Sequence, residues 1–384
     1  MTFPTTPLAP PRDPGWALSL VSPAPGRLPS GVGTLTCGRQ QRAGTMGINV
    51  AVVGATGQVG REILRTMAER DFPADEVVAL SPGRGGGQEV SYGEERVLRV
   101  RGLDGYDFRD TDLVFFAAGE AASAAEAPRA AAAGAMVVDL SARFRMEPDV
   151  PLVVPEANAA ALTRARKRRI VACPGGIATA VAVALKPLHA LARARRAVVT
   201  GFHAVAGAGK EAMDELWSQT RGVYVNETPP AEQFSKQIAF NLIPQVGDIG
   251  EDGATKEEAG IALELRKLID PDLTAVASCV RVPVFIGDAA SVVVEFERPI
   301  GEKEAWAALR EAPGVTVLDR REEAGYATPA EVAGEDMVYV SRLRRDLTVP
   351  NGLVFWCVTD TLRKGAALNA VQVAEELVRL KLVG

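Results

Sequence analysis

The sequence has few of the residues that build metal centres and disulfide frameworks. Its 384 residues include only two histidines, His189 and His203, and four cysteines, which lie at positions 37, 173, 279 and 357. No two cysteines have C-x-x-C spacing, so we expect neither a disulfide framework nor a zinc site. Scattered, reduced cysteines are typical of a cytoplasmic protein.

The chain also lacks a long apolar run and a strong excess of charge. No hydrophobic stretch approaches the roughly 18 residues that span a bilayer. The net charge is −5, which argues against a general nucleic-acid or membrane-surface binder. Hydrophobic residues make up 47% and charged residues 24%, as in ordinary globular proteins. The length favours two domains.

Residues 1–45 differ from the rest because they are rich in proline and show no sustained periodicity. Such a segment buries too little apolar surface to offset the entropy lost on ordering, so we predict a disordered tail. It has no apolar core of the kind found in a secretory signal. Met46 directly precedes the first strand pattern, and the sequence leaves open whether Met1 or Met46 is the start.

From residue 47 onward, apolar strand patterns alternate with helical segments. The strand patterns fall at 48–53, 77–80, 112–116, 136–139, 169–172, 197–200, 276–284 and 291–296, and helices are expected at 177–191, 210–219, 256–268, 303–311 and 366–381. This alternation predicts an α/β protein with a parallel sheet. We assign a Rossmann-type dinucleotide-binding domain to 46–172 and an α+β domain to 173–358, with the helix in 359–384 returning to the first domain.

A glycine-rich turn follows the first predicted strand. Gly54, Gly57 and Gly60 have G-x-x-G-x-x-G spacing between a strand and a helix. Gly54 allows a tight turn, Gly57 lets a pyrophosphate approach the backbone, and Gly60 lets the helix pack closely. The helix N-terminus then offers free N–H groups to the phosphates. A purely structural glycine turn is the alternative.

The residues after the second strand indicate which nicotinamide cofactor fits. An acidic side chain there would bind the ribose 2′-hydroxyl and repel a 2′-phosphate. This strand ends instead at Ser81, with Arg84 three residues later, and a neutral residue followed by a basic one favours NADP over NAD. Arg84 as a solvated loop residue remains the other interpretation.

Several long strings give the chain a resemblance to bacterial aspartate-semialdehyde dehydrogenases across nearly all of 46–384. They lie at 144–146, 148–156, 207–216, 237–244, 281–284 and 362–370. The resemblance implies NADPH-dependent reduction of β-aspartyl phosphate and a homodimer or homotetramer. It also assigns substrate binding to Arg145, Glu257, Arg281 and His203, and cofactor binding to Gly54, Thr56, Gly57, Gln58, Val59, Ser81, Arg84 and Gly119.

The family's catalytic pair is missing at the matching positions. Its cysteine nucleophile aligns with Gly176, and its histidine aligns with Asp288. Glycine has no atom that can form an acyl-enzyme, so the covalent route is closed. The ordinary pKa of aspartate, near 4, is poorly matched to a general base at neutral pH.

Two hypotheses follow from these departures. The first is a non-catalytic subunit that binds NADP and a small anionic metabolite, with Arg145, Arg281 and a bare helix N-terminus at 175–177 as its anion site, and with an active paralogue as a conceivable partner. The second is a rewired oxidoreductase in which His203 activates the thiol of Cys173. An inert core cysteine is the alternative for Cys173, and a polar pocket filler is the alternative for His203.

Overall fold

The computed structural model describes residues 47–83, 87–94 and 96–383. The predicted disorder of 1–45 and the predicted cofactor contact of Arg84 lie outside these residues.

The first half of the described chain forms a six-stranded parallel sheet with a small hairpin. Its elements, in chain order, are β1 (Ile48–Val53), α1 (Gln58–Glu69), β2 (Ala74–Ser81), β3 (Glu89–Tyr92), β4 (Arg96–Arg99), β5 (Arg101–Gly102), β6 (Leu113–Phe116), α2 (Gly119–Ala132), β7 (Met136–Asp139), α3 (Pro155–Asn158), α4 (Ala165–Arg168) and β8 (Ile170–Ala172). The sheet order is β5-β2-β1-β6-β7-β8, and β3 pairs only with β4. The central strands β1 and β6 are apolar and buried except at Asn49, as expected for strands covered on both faces.

The second half forms a mixed six-stranded sheet. Its elements are α5 (Gly176–Ala192), β9 (Ala194–His203), α6 (Lys210–Val225), α7 (Lys256–Leu268), β10 (Thr274–Arg281), β11 (Asp288–Phe296), α8 (Glu302–Glu311), β12 (Val315–Val317), α9 (Pro329–Val332), β13 (Val338–Asp346), β14 (Gly352–Thr359) and α10 (Leu368–Arg379). The strand order is β10-β9-β11-β14-β13-β12. Helix α5 is buried along most of its length and packs against β9, β11 and β14.

The predicted α/β class, with a Rossmann-like sheet and a mixed second sheet, is confirmed. The pattern missed β3, β4 and β5 in the first half and β12, β13 and β14 in the second, and β13 carries charged residues on its exposed face. The last helix begins at Leu368 and not at 366 as predicted, because Arg363–Ala367 form a π-helical turn. Helix α10 packs on α1 and β7. None of the described helices is long and apolar enough to cross a membrane.

Candidate functional site

A pocket of about 410 Å³ opens where the parallel sheet meets the start of α5. Ala117, Ser141 and Cys173 line it, and they follow the ends of β6, β7 and β8. In open α/β sheets, ligands bind at the edge where the carboxyl ends of the strands meet. The predicted site residues that line this pocket are Val59, Gly119, Arg145, Cys173, Gly176, His203, Glu257, Arg281 and Asp288. Gly54, Thr56, Gly57, Gln58 and Ser81 form or flank the adjacent glycine turn.

The glycine turn has the backbone geometry that its sequence predicts. Gly54 has a φ of +87°, and a Cβ there would lie 2.4 Å from the carbonyl oxygen of Ala117. A Cβ on Gly60 would lie 2.1 Å from the carbonyl oxygen of Gly54, so this glycine lets α1 approach the turn itself. A Cβ on Gly57 would meet only the Gly54 oxygen, at 3.4 Å, among the described residues. Space for a ligand therefore lies beside Gly57.

The side chains around the turn fit a dinucleotide. No side chain caps the N-terminus of α1, so its first N–H groups can receive phosphate oxygens. The hydroxyls of Thr56 and Ser81 lie 3.4 Å apart at the end of β2. Gln58 donates to the sulfur of Met213 at 2.8 Å, and its buried Oε1 has no partner in the described part of the chain.

Arg145 is held rigidly by an ion pair that the sequence did not reveal. Its Nη1 donates to Glu264 Oε1 at 2.9 Å, and its Nε donates to the carbonyl of Cys173 at 2.9 Å. Burial opposes the charge of the guanidinium, but the Glu264 carboxylate raises the pKa of Arg145 overall. Lys267 supports the same turn by donating to the carbonyl of Arg145 at 2.6 Å. Arg145 therefore has a structural partner in addition to any ligand.

Glu264 also corrects the expectation of a bare helix N-terminus at 175–177. Its Oε2 accepts from the N–H of Gly175 at 2.8 Å, so that donor is already used. Glu264 lies on α7 two turns after Glu257, beside the buried residues Ile261 and Leu265. An acidic residue on the apolar face of an amphipathic helix was the sequence signal that could have identified it.

Arg281 is a buried cation that has no ion pair with any other described residue. It is 8% exposed at the end of β10, and its Nη1 donates to the carbonyl of Ala204 at 2.6 Å. Within the described residues no carboxylate lies within 4.0 Å of its guanidinium, and burial lowers its pKa. A buried charge is stable when it is paired, so this guanidinium favours an anionic group from a ligand.

Burial favours the neutral forms of His203 and Glu257 in the pocket. Burial, with help from Arg281, lowers the pKa of His203 to about 3, so its imidazole is uncharged. Its Nε2 is buried and has no hydrogen-bond partner among the described residues. Burial, and then the nearby Glu264, raises the pKa of Glu257 to about 7.

The carboxylate of Asp288 lies against Gly176, where a side chain at position 176 would begin. Asp288 is 4% exposed, and its Oδ1 accepts from the N–H of Ala204 at 2.8 Å. A Cβ built on Gly176 would lie 2.9 Å from Asp288 Oδ2. Any side chain at position 176 would therefore have to displace this carboxylate. The two departures from the family pattern are sterically coupled.

The substitution D288N is expected to stabilise the protein at neutral pH. Burial raises the pKa of Asp288 to about 6, above its ordinary 3.8, although the Ala204 N–H and Arg281 oppose the rise. The folded state therefore holds this proton more tightly than the unfolded chain, and the free energy of unfolding falls as pH rises from about 4 to about 6. We expect D288N to be about 3 kcal/mol more stable above pH 7 and no more stable near pH 4. Urea unfolding of D288N and of the unmodified protein, from pH 4 to above pH 7, measures this difference. A difference in the free energy of unfolding that does not change with pH would contradict the prediction.

Cys173 lies in the wall of the pocket but within the apolar core behind the first sheet. It is 2% exposed, and burial, followed by the charge of Asp139, raises the pKa of its thiol to about 12. A thiol must ionise to act as a nucleophile. These properties weigh against the predicted activation of Cys173 by His203, whose own pKa is too low for it to carry a stabilising positive charge.

Cys173 is expected to resist alkylation in the folded protein. Treatment with iodoacetamide at pH 8, followed by peptide mass analysis, should leave its thiol unmodified for hours. The same treatment in denaturant should label it completely, which controls for the reagent. Rapid labelling of the native protein at Cys173 would instead indicate an accessible thiolate and support the rewired site.

Comparison with known proteins covers almost the whole described chain. Residues 49–165 match the family model "Semialdehyde dehydrogenase, NAD binding domain", and 185–364 match "Semialdehyde dehydrogenase, dimerisation domain". Aspartate-semialdehyde dehydrogenase of Rickettsia bellii is 45% identical over 87% of this chain and 98% of its own length, and that of Aquifex aeolicus is 41% identical over 88% and 100%. The crystal structure of aspartate semialdehyde dehydrogenase II from Vibrio cholerae has a TM-score of 0.84 at 39% identity, covering 87% of this chain and 99% of that one.

Proposed function

The chain belongs to the aspartate-semialdehyde dehydrogenase family, and we propose that it binds NADP and a small anionic metabolite on this scaffold without carrying out the family's reaction. The observation that carries the proposal is the Gly176–Asp288 contact. The position of the nucleophile has no side chain, and the carboxylate that replaces the base lies 2.9 Å from the place where a Cβ would stand. With neither group present, the acyl-enzyme route has no starting point.

The remaining pocket residues still suit binding. Arg281 can hold a carboxylate with its unpaired N–H groups, and Glu257 can accept from an amino group. The glycine turn and the N-terminus of α1 would hold the cofactor's pyrophosphate, with Thr56 and Ser81 near its ribose. When bound, NADP supplies hydride transfer at its nicotinamide ring. Ser81 in place of an acidic residue favours NADP over NAD.

A rewired oxidoreductase is the second candidate. Cys173 and His203 line the same pocket, and the buried Nε2 of His203 has no hydrogen-bond partner among the described residues. This candidate requires Cys173 to ionise despite its burial, which is why we rank it second.

A turnover assay separates the two. Purified protein is given aspartate semialdehyde, inorganic phosphate and NADP, and NADPH formation is followed by absorbance, alongside a fluorescence titration of NADPH binding. We expect saturable NADPH binding and no turnover. Turnover that disappears in C173A would establish the rewired enzyme, and turnover that persists in C173A would overturn the proposal altogether.

The substitution G57A is expected to weaken NADPH binding without destabilising the fold. The added methyl group points into the space beside the turn and meets no described atom closer than 3.4 Å. It would stand where the pyrophosphate approaches, so we expect at least a tenfold rise in Kd, about 1.4 kcal/mol. The matched control is G301A, where a Cβ meets no described atom within 4 Å and lies away from the pocket. Equal Kd values for the two variants would remove the turn from the cofactor site.

We also propose a cytoplasmic homodimer. The second sheet corresponds to the family's dimerisation domain, and its edge strand β10 leaves Val276 52% exposed. Trp217 and Tyr224 on α6 are likewise exposed apolar side chains, of a kind that marks protein interfaces. The buried cysteines Cys173, Cys279 and Cys357 are unpaired, as expected in a reducing compartment. A homotetramer, or pairing with an active paralogue, would extend the same assembly.

A further inference from the structure

We propose that Asp288 makes the Gly176 end of the pocket a receptor for a positively charged group, so that the preferred ligand is a short diamino acid. Its α-carboxylate would pair with Arg281, its α-ammonium with Glu257, and its side-chain ammonium with Asp288. This inference rests on the proposed binding function: it keeps a carboxylate at Arg281 as the anionic group of the ligand, but adds two ammonium groups, so that the ligand carries a net charge of +1 in place of a negative one.

Asp288 can accept further hydrogen bonds on the side that lines the pocket. An ionised carboxylate can accept about four hydrogen bonds and can donate none. The N–H of Ala204 and the hydroxyl of Thr361 supply two partners. Asp288 lines the pocket, and its Oδ2 lies toward Gly176, which has no side chain to cover it. A ligand group at this end therefore meets an acceptor.

The charged residues that line the pocket do not balance one another. The charge of Arg145 is already balanced by Glu264, at 2.9 Å. Of the other charged residues that line the pocket, Arg281 carries one positive charge, and Glu257 and Asp288 carry two negative charges when ionised. The pocket is thus short of one positive charge. A diamino acid, with one carboxylate and two ammonium groups, has a net charge of +1 and complements it.

The carboxylate of Asp288 also disfavours binding of the family's acyl phosphate. An acyl phosphate would bring negative charge beside Asp288, in a buried place where like charges interact strongly. Arg281 and Asp360 lie close enough to Asp288 to shift its pKa by their charges, and Asp288 and Glu257 repel each other when both are ionised. Of these groups only Arg281 is positive, and the ligand's α-carboxylate would occupy it. A cationic side chain removes the repulsion.

Calorimetric titration of the full chain with amino acids of equal carbon number tests the inference. The probes are L-2,4-diaminobutyrate, L-homoserine and L-aspartate at pH 7.5, applied to the unmodified protein, to D288N and to D214N. Asp214 is an exposed carboxylate on α6 that pairs with Lys210, so D214N controls for the general loss of one negative charge. We expect diaminobutyrate to bind at least tenfold more tightly than aspartate, and D288N, but not D214N, to abolish that preference.

Proton release gives a second readout that a merely structural role of Asp288 would not produce. A bound ammonium should draw Asp288 and Glu257 into their ionised forms, so diaminobutyrate binding at pH 6.5 should release protons, which is measurable from the enthalpy in two buffers. Aspartate binding as tightly as diaminobutyrate, a preference unchanged in D288N, or no binding of any probe would overturn the inference. NADPH titration and the turnover assay on the same preparation test the proposed function separately, because their outcomes do not depend on which amino acid binds.

Discussion

The double variant G176C/D288H is expected to gain phosphate- and NADP-dependent oxidation of aspartate semialdehyde, on the order of 10³-fold above the unmodified protein. The double change restores a thiol at the start of α5 and supplies a histidine in place of Asp288, and it removes the carboxylate that would crowd a Cβ at position 176. Arg281 and Glu257, which we propose bind the rest of the substrate, line the same pocket.

Neither single variant should achieve this gain. In G176C the new Cβ would lie 2.9 Å from Asp288 Oδ2, and a carboxylate beside the sulfur disfavours the thiolate. In D288H there is still no nucleophile.

The comparison is made by kcat/KM for NADPH formation, with G176A/D288H as the matched control that supplies the histidine without a thiol. If G176C alone were as active as the double variant, the steric coupling of the two positions would be wrong. If the double variant were as inactive as the control, features beyond these two residues would have to account for the loss of the family reaction.

The variant K364M is expected to lower the free energy of unfolding by about 3–5 kcal/mol. Lys364 is fully buried, and its Nζ donates to both oxygens of Glu156 at 2.7 Å, to Gln372 Oε1 at 2.5 Å and to Asn369 Oδ1 at 3.3 Å. The substitution leaves the carboxylate of Glu156 buried without its cation. This ion pair also ties the π-helical turn before α10 to α3.

Urea unfolding at pH 7.5 measures the effect, with two further variants for comparison. K256M breaks an exposed ion pair, Lys256 with Asp248, and should cost less than about 1 kcal/mol. The double variant E156L/K364M removes both buried charges and should recover much of the loss, because no charge is then left unpaired. A loss in K364M no larger than that in K256M would show that the buried pair contributes little.

The sequence by itself determined the architecture and the two departures at the catalytic positions. Apolar runs of strand length between helical segments require a parallel sheet, and G-x-x-G-x-x-G after the first of them requires a tight turn. These features are local, since they depend on residues within a few positions of one another. The absence of a nucleophile at Gly176 could likewise be read directly, because glycine has no side chain in any fold.

The tertiary structure alone decided which charges stand next to each other. Glu264 lies 119 positions from Arg145 and pairs with it, and Asp288 lies 112 positions from Gly176 and fills its space. Nothing local in the sequence indicates which side chain a buried charge will meet, because the partner is set by how α7 and β11 pack against α5. Burial also raised the pKa of Asp288 and lowered that of His203, and burial is a property of the packed molecule and not of the residue.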